Sequence, residues 1–219
     1  MRQNISLAEI SDGHLYKAND MVKADCGGCE GCSQCCRGMG NSIILDPYDV
    51  YRLITGIGKS MQELLATSVE LNVVDGVILP NLKMQGTREA CAYLDAEGRC
   101  SIHPYRPGIC RLFPLGRHYE NGGLFYFLQT GECVKENRSK VKVSKWIDTP
   151  ELKRNEQFKL QWHDLLSAMT DRVAGEDEGK QREENLLLLR LFYLLPYEGT
   201  TDFYSQFTER MEHWNEQIG

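Results

Sequence analysis

No apolar run in this 219-residue chain is long enough to cross a bilayer as a helix. The longest, Leu186 to Leu195, is interrupted by Arg190 and stopped by Pro196. As a helix it would reach roughly 15 Å, about half a bilayer. Met1 to Ile10 lacks the apolar segment of a secretory leader, so a soluble, cytoplasmic protein with no membrane role is expected. Positive charge is in deficit: 25 Lys and Arg stand against 31 Asp and Glu, for a net charge of -6. That speaks against a nucleic-acid binder working through a broad basic face. Internal repeats and low-complexity segments are absent. So are a Ser/His/Asp set, a phosphate loop and a His-Glu-x-x-His pair. No Gly-rich loop between a strand and a helix offers to cradle an adenosyl cofactor, and no Cys-xxx-Cys-xx-Cys radical motif occurs. Catalytic residues therefore go unnamed and enzymatic activity stays open.

What the chain does have is cysteine. Cys26-Gly-Gly-Cys29-Glu-Gly-Cys32-Ser-Gln-Cys35-Cys36 places five thiols in eleven positions, four of them three residues apart. Gly27, Gly28, Gly31 and Ser33 let the backbone curl and aim several sulfurs at one point. Such a loop has almost nothing apolar to bury, so core packing does not account for it. The alternatives are disulfides, thiols acting as small hydrophobes, and metal ligation. In a reducing cytosol clustered thiols more often hold metal, and the odd total of nine suits a complete disulfide framework poorly.

Along the chain, Leu7, Ile10 and His14 could line one helix face; His14 reads as a solvated side chain rather than a ligand. Ser42 to Leu45 reads as a short buried strand. Asp46-Pro47 opens a helix that carries Val50, Leu53 and Ile54 inward and stops near Gly56. Ser60 and Glu63 form a capping-box pattern for the next helix. Asp75-Gly76 between β-branched neighbours predicts a hairpin. Cys91 to Leu94 and Arg99 to Ile102 read as two short strands around a turn, which would bring Cys91 and Cys100 together. The prolines of His103-Pro-Tyr-Arg-Pro-Gly-Ile-Cys-Arg-Leu-Phe-Pro114 fix the path around Cys110. Leu115 to Gln129 reads as a second hairpin. From Thr149-Pro150 a long helix is expected, with Phe158, Trp162, Leu165, Leu166, Met169 and Val173 on one side. An acidic break at Gly175 to Gly179 precedes a central buried helix over Leu186 to Leu195. Thr201 then caps a last helix striped by Phe203, Phe207, Met211 and Trp214, which read as core.

Cys29-xx-Cys32-xx-Cys35-Cys36, then Cys91-xx-Leu94, then Cys100-Ser-Ile-His-Pro-Tyr-Arg-Pro-xx-Cys110-Arg-Leu-Phe-Pro114, resembles the YkgJ-like CxxCxxCC family. The resemblance covers about residues 26 to 133. It implies a domain that chelates zinc or iron and a distant relation to flagellin lysine N-methylases, which are thought to carry an iron–sulfur cluster. The family pattern is matched by eight cysteines: Cys29, Cys32, Cys35, Cys36, Cys91, Cys100, Cys110 and Cys133. Cys26 adds a ninth ligand candidate upstream, and His103 stands where the family often has another residue.

Eight is two sets of four, and a tetrahedral zinc or a cubane iron–sulfur cluster each takes four thiolates. Neighbouring side chains diverge, so Cys35 and Cys36 are expected to split between two centres, or between one centre and the core. The Cys-xx-Cys-xx-Cys run is closer to a ferredoxin loop than to the separated pairs of structural zinc, so iron–sulfur is favoured and zinc is the alternative. Arg106 and Arg111 flank Cys110; they either offset thiolate charge or bind an anionic cofactor, or simply pair with carboxylates and carbonyls. His103 is a ligand or a donor behind the ligands. Tyr105 and Phe113 are expected to shield the site.

Three functions follow: an iron–sulfur protein, including an oxidoreductase; a structural zinc module whose C-terminal helices bind a protein partner; and, from the resemblance alone, a lysine N-methylase-like enzyme. The expected fold is α+β, an irregular cysteine-rich region with short β-hairpins on helices and a C-terminal helical bundle. The expected division is a metal-binding domain over 1–140 and a helical region over 141–219.

Overall fold

The computed structural model describes residues 6–27, 32–135, 137–175 and 177–218. Its architecture is α+β, with short antiparallel strand pairs set against helices. A single turn of helix α1 (Leu7–Ile10) leads to strand β1 (Met21–Asp25). The expected first helix is therefore short, and His14 lies beyond it, exposed, with its ring edge-on to Tyr16.

Two capping boxes start the next helices. Asp46 accepts from the Asp49 amide, the Asp49 side chain accepts from the Asp46 amide, and Pro47 occupies the first turn of α2 (Pro47–Ile57). Left-handed Gly58, two residues later than expected, ends it. Ser60 and Glu63 do the same for α3 (Met61–Thr67). Strands β2 (Val69–Val74) and β3 (Val77–Leu82) then pair in register, Val74 opposite Val77. Asp75 and Gly76 at the turn both have positive φ, as a type I′ turn requires. Ser42 to Leu45 forms only a bridge to this hairpin, through Leu45 N donating to Pro80 O at 2.8 Å. It extends no further because Asp46-Pro47 turns the chain into α2 at once.

Strands β4 (Met84–Gln85) and β5 (Ala90–Cys91) make a two-residue ladder. The two strands expected around Asp95 to Gly98 reduce to one bridge, Leu94 to Cys100, because the chain turns again directly after Cys91. Helix α4 (Gly108–Leu112) is followed by the expected hairpin, β6 (Leu115–Glu120) with β7 (Gly123–Leu128). Strand β8 (Ser139–Lys142) pairs antiparallel with β1, and α5 (Val143–Ile147) follows it.

The long helix α6 (Leu152–Val173) begins later than Thr149, since Asp148 and Glu151 have positive φ and a right-handed helix cannot run through them. Asp177 caps α7 (Glu178–Leu189). The segment expected as a buried helix over 186–195 instead leaves α7 as a π-helical turn, Arg190–Leu194. Leu188, Leu189, Leu191, Phe192 and Tyr193 are buried, but Leu186 is 54% exposed. Carbonyls loosened there are taken by buried Arg210, which donates to Leu191 O at 2.8 Å and Leu195 O at 3.1 Å. Helix α8 (Phe203–Ile218) is capped by Asp202 rather than Thr201: its carboxylate accepts from the Ser205 amide at 2.9 Å.

The main core joins Leu45, Val50, Leu53 and Leu82 to Phe158, Trp162, Phe192 and Phe207. It thus draws on both the cysteine-bearing part of the chain and the C-terminal helices. A smaller core, including Val22, Leu112, Leu115, Tyr126 and Val143, sits under the β1–β8 and β6–β7 pairs. Two polar ties cross the main core. Tyr193 donates to Leu45 O at 3.0 Å, and the Lys159 ammonium of α6 contacts the Asp46 carboxylate. Burial pushes Lys159 toward its neutral form, and the carboxylate beside it favours the charge. Tyr193→Phe should cost about 1 kcal/mol in denaturant unfolding of equally metal-loaded samples. Lys159→Met, which strands the Asp46 carboxylate, should cost about 3 kcal/mol.

Candidate metal centre

Four separate segments deliver thiols to one region. Cys35 and Cys36 lie on a 3-10 turn, Gln34–Cys36. The next residue, Arg37, bridges to Ala90, and Gly38 N donates to Glu89 O at 2.9 Å. This lays the first cysteine loop beside β5 and its Cys91. The turn before Cys100 closes with Gly98 at φ +74°, and a Cβ there would stand 3.7 Å from Ser33 Oγ, so this turn also rests on the first loop. Cys110 lies in α4, whose first amide, Gly108 N, donates to Asp49 Oδ1 at 2.7 Å. The other end of α4 is held by Trp146 of α5, whose indole N–H reaches Leu112 O and Phe113 O at 3.2 Å each.

Cys32, Cys35, Cys36, Cys91, Cys100, Cys110 and Cys133 are thiols, in no disulfide. Cys35, Cys91, Cys100 and Cys110 sense one another electrostatically. Cys35 is pushed up by a hydrogen bond with the Cys36 thiol and then by burial. Cys91, Cys100 and Cys110 are pushed up mainly by burial and further by their neighbouring thiols. Arg106 opposes the rise at Cys35 and Cys100. These four form an inner group. A second, outer group surrounds a hollow of about 20 Å³ lined by Cys26, Cys32, Cys35 and Cys133 with Phe113 and Trp146. Cys35 belongs to both. Cys29 lies outside the described residues. Among the described residues, no three His, Cys, Asp or Glu side chains stand in a ligating arrangement.

The donor set nonetheless suits a thiophilic metal. Half-buried neutral thiols with few hydrogen bonds gain from a cation that takes their protons' place, and thiolates brought near one another converge only when such a charge offsets their repulsion.

The other candidates are placed as follows. Arg111 is buried; its Nε donates to Ile147 O at 3.3 Å and its Nη2 to Asp148 O, so the guanidinium caps the carbonyls ending α5. Arg106 lies close enough to depress His103 as well as to act on the two thiols. His103 is exposed on a 3-10 turn, lowered first by partial burial and then by Arg106, Arg99 and Arg111. Phe113 lines the outer hollow, whereas Tyr105 covers Gly56, where a Cβ would stand 2.2 Å from its ring.

Asp49, Lys159 and Trp146 were not singled out from the sequence, although all three fix α4 or its surroundings. Burial pushes Asp49 up to about 6; the Gly108 amide, Arg117, Arg111 and Arg52 pull the other way. The available signals were the Asp-xx-Asp spacing at the α2 cap and a lysine next to Phe158 on an apolar helix face.

Half-buried thiols gathered from several segments, on turns and short elements, are the kind of surround that a metal-chelating module offers. Residues 28–127, a little under half of the chain, match the model of the CxxCxxCC family, described as "Putative zinc- or iron-chelating domain", and over this stretch the chain is similar to that family. No curated protein and no solved structure matches the chain.

Raised thiols release protons when a metal takes them. Titrating the metal-free protein with Zn²⁺ at pH 7 in weak buffer should therefore release about four protons for each ion held by four thiols. Apparent affinity should rise with pH, since fewer protons need displacing; a pH indicator and competition with a chelator read both.

Proposed function

We propose that the domain is an iron–sulfur module whose inner group, Cys35, Cys91, Cys100 and Cys110, holds the cluster. The observation that carries this reading is that the Arg37–Ala90 and Leu94–Cys100 bridges lay the segments of Cys35, Cys91 and Cys100 side by side, with Cys91, Cys100 and Cys110 packed on the same core, where the four thiols push one another toward the neutral form. A thiolate-held cluster is anionic overall, and Arg106 supplies nearby positive charge toward Cys35 and Cys100. A cluster held there would supply one-electron redox chemistry; the chain's own residues bury the thiols and offset their charge.

One observation favours a zinc reading for the outer group. A hollow of about 20 Å³, little more than a single water needs, is closer in size to one ion than to a cubane. Cys26, Cys32 and Cys133 would hold that ion, with Cys35 or its neighbour Cys36 serving whichever group the other leaves. The vicinal pair is then divided between two centres.

Anaerobic purification followed by absorption, iron, sulfide and zinc analysis of one sample tests both readings. The expected result is a brown protein with iron and acid-labile sulfide in equal amounts, plus one further metal ion. Cys110→Ser should lose the colour and keep the second ion; Cys133→Ser should do the reverse. A colourless protein with zinc alone overturns the iron–sulfur reading, and one metal centre lost in both variants overturns the two-group reading.

A further inference from the structure

A cavity of about 280 Å³ is lined by the β2–β3 hairpin, β6 and α6. It contains no cysteine. Its floor is core: Val77, Leu79 and Trp162 are all buried. Along one wall the rings of Tyr119 and His163 stack face to face, 3.9 Å apart and 6° from parallel. The volume is close to the lower end for small-molecule sites, about 300–1,000 Å³.

One charged group of β6 reaches this apolar space. Arg117 lines the cavity, and its Nη2 stands 3.2 Å from where a Cβ on Gly108 would lie. The same point is 3.4 Å from Asp49 Oδ1 and 3.5 Å from Lys159 Nζ. Gly108 thus leaves open the space in which a carboxylate and two cations face one another. Asp49 is already committed to the Gly108 and Asp46 amides, and Lys159 to Asp46. Among the described residues the Arg117 side chain makes no hydrogen bond, while its backbone pairs with Tyr126 in the β6–β7 ladder and its charge lies toward Asp49. The Arg117 Nη2 is turned toward Asp49, so a ligand in the aromatic and aliphatic cavity would meet the remaining donors of the guanidinium, which suit a planar carboxylate joined to a flat apolar body.

We propose that this cavity binds a small aromatic monocarboxylate, its acid group on Arg117 and its ring against Trp162 and the Tyr119–His163 pair. The site is separate from the thiol groups and does not depend on which metal they hold.

Naphthalene-2-carboxylate is the probe, with its neutral carboxamide as the comparison, titrated calorimetrically into the metal-loaded full chain. The acid should bind saturably with a Kd near or below about 1 mM, from roughly 0.3 kcal/mol per heavy atom. The carboxamide should bind about tenfold or more weakly, the loss expected for one charge-assisted contact. Arg117→Met should weaken the acid by a similar factor and leave the carboxamide unchanged. Because Arg117 also faces Asp49, that variant could unfold; Thr170→Trp, which fills the cavity from a half-buried helix position and leaves Arg117 in place, should abolish binding of both compounds. Equal binding of acid and amide, binding that survives Thr170→Trp, or no saturable binding within the probe's solubility overturns the proposal.

Discussion

Two carboxylates at the start of one helix organise this molecule. Asp46 and Asp49 cap α2 reciprocally, which any capping box does. Here each also reaches outward. Asp49 takes the first amide of the helix that carries Cys110, and Asp46 meets Lys159 from the long C-terminal helix. A burial cost of several kcal/mol per ion makes such a node unstable unless every lone pair is used. It is satisfied by two capping amides, the Gly108 amide and an ammonium, with Arg117, Arg111 and Arg52 adding positive potential around Asp49. Position of a thiol, orientation of α6 and the inner end of the cavity at Arg117 all follow from the same pair.

The elements that the sequence made legible are those with local causes. Both capping boxes, the Asp75-Gly76 turn and the hairpin around Asn121-Gly122 depend on side chains within four residues of each other, and they fold as read. The apolar stripe of α6 was equally plain, since Phe158, Trp162, Leu165, Met169 and Val173 recur at helical spacing and are buried. Elements with distant causes were less so. Strands β1 and β8 pair across more than a hundred residues, and nothing in Met21–Asp25 announces its partner. The π-turn at Arg190–Leu194 depends on Arg210 from another helix. At the site, the thiols were visible as a motif, but their placement was not: Cys35 and Cys36 come beside β5 through the Arg37–Ala90 bridge, and Cys110 is positioned by the Asp49–Gly108 bond, which no spacing encodes.

The contrast between Arg106 and Arg111 shows how little sequence adjacency decides. Both flank Cys110 in a Pro- and Gly-bounded stretch. Helix α4 turns Arg111 away toward the carbonyls of Ile147 and Asp148, where it ties α4 to α5. Trp146 answers from α5 by taking the last carbonyls of α4. The two short helices, each too short to be stable alone, thereby satisfy each other's open ends. Arg106, before α4 begins, keeps its charge toward Cys35 and Cys100.

Strand β1 ends at Asp25, opposite Ser139 of β8, with a bulge between that pair and Val22–Val141. Cys26 follows directly on one side, and Cys133 lies six residues before the other. A single irregular ladder therefore acts as the throat of a drawstring for the whole cysteine-bearing stretch. Two-stranded ladders open readily, and this one rests on the smaller core, whereas Cys91, Cys100 and Cys110 pack against the larger. The thiols are thus anchored unequally: opening of the ladder frees Cys26 and Cys133 alone, while Cys91, Cys100 and Cys110 stay in place until the main core loosens.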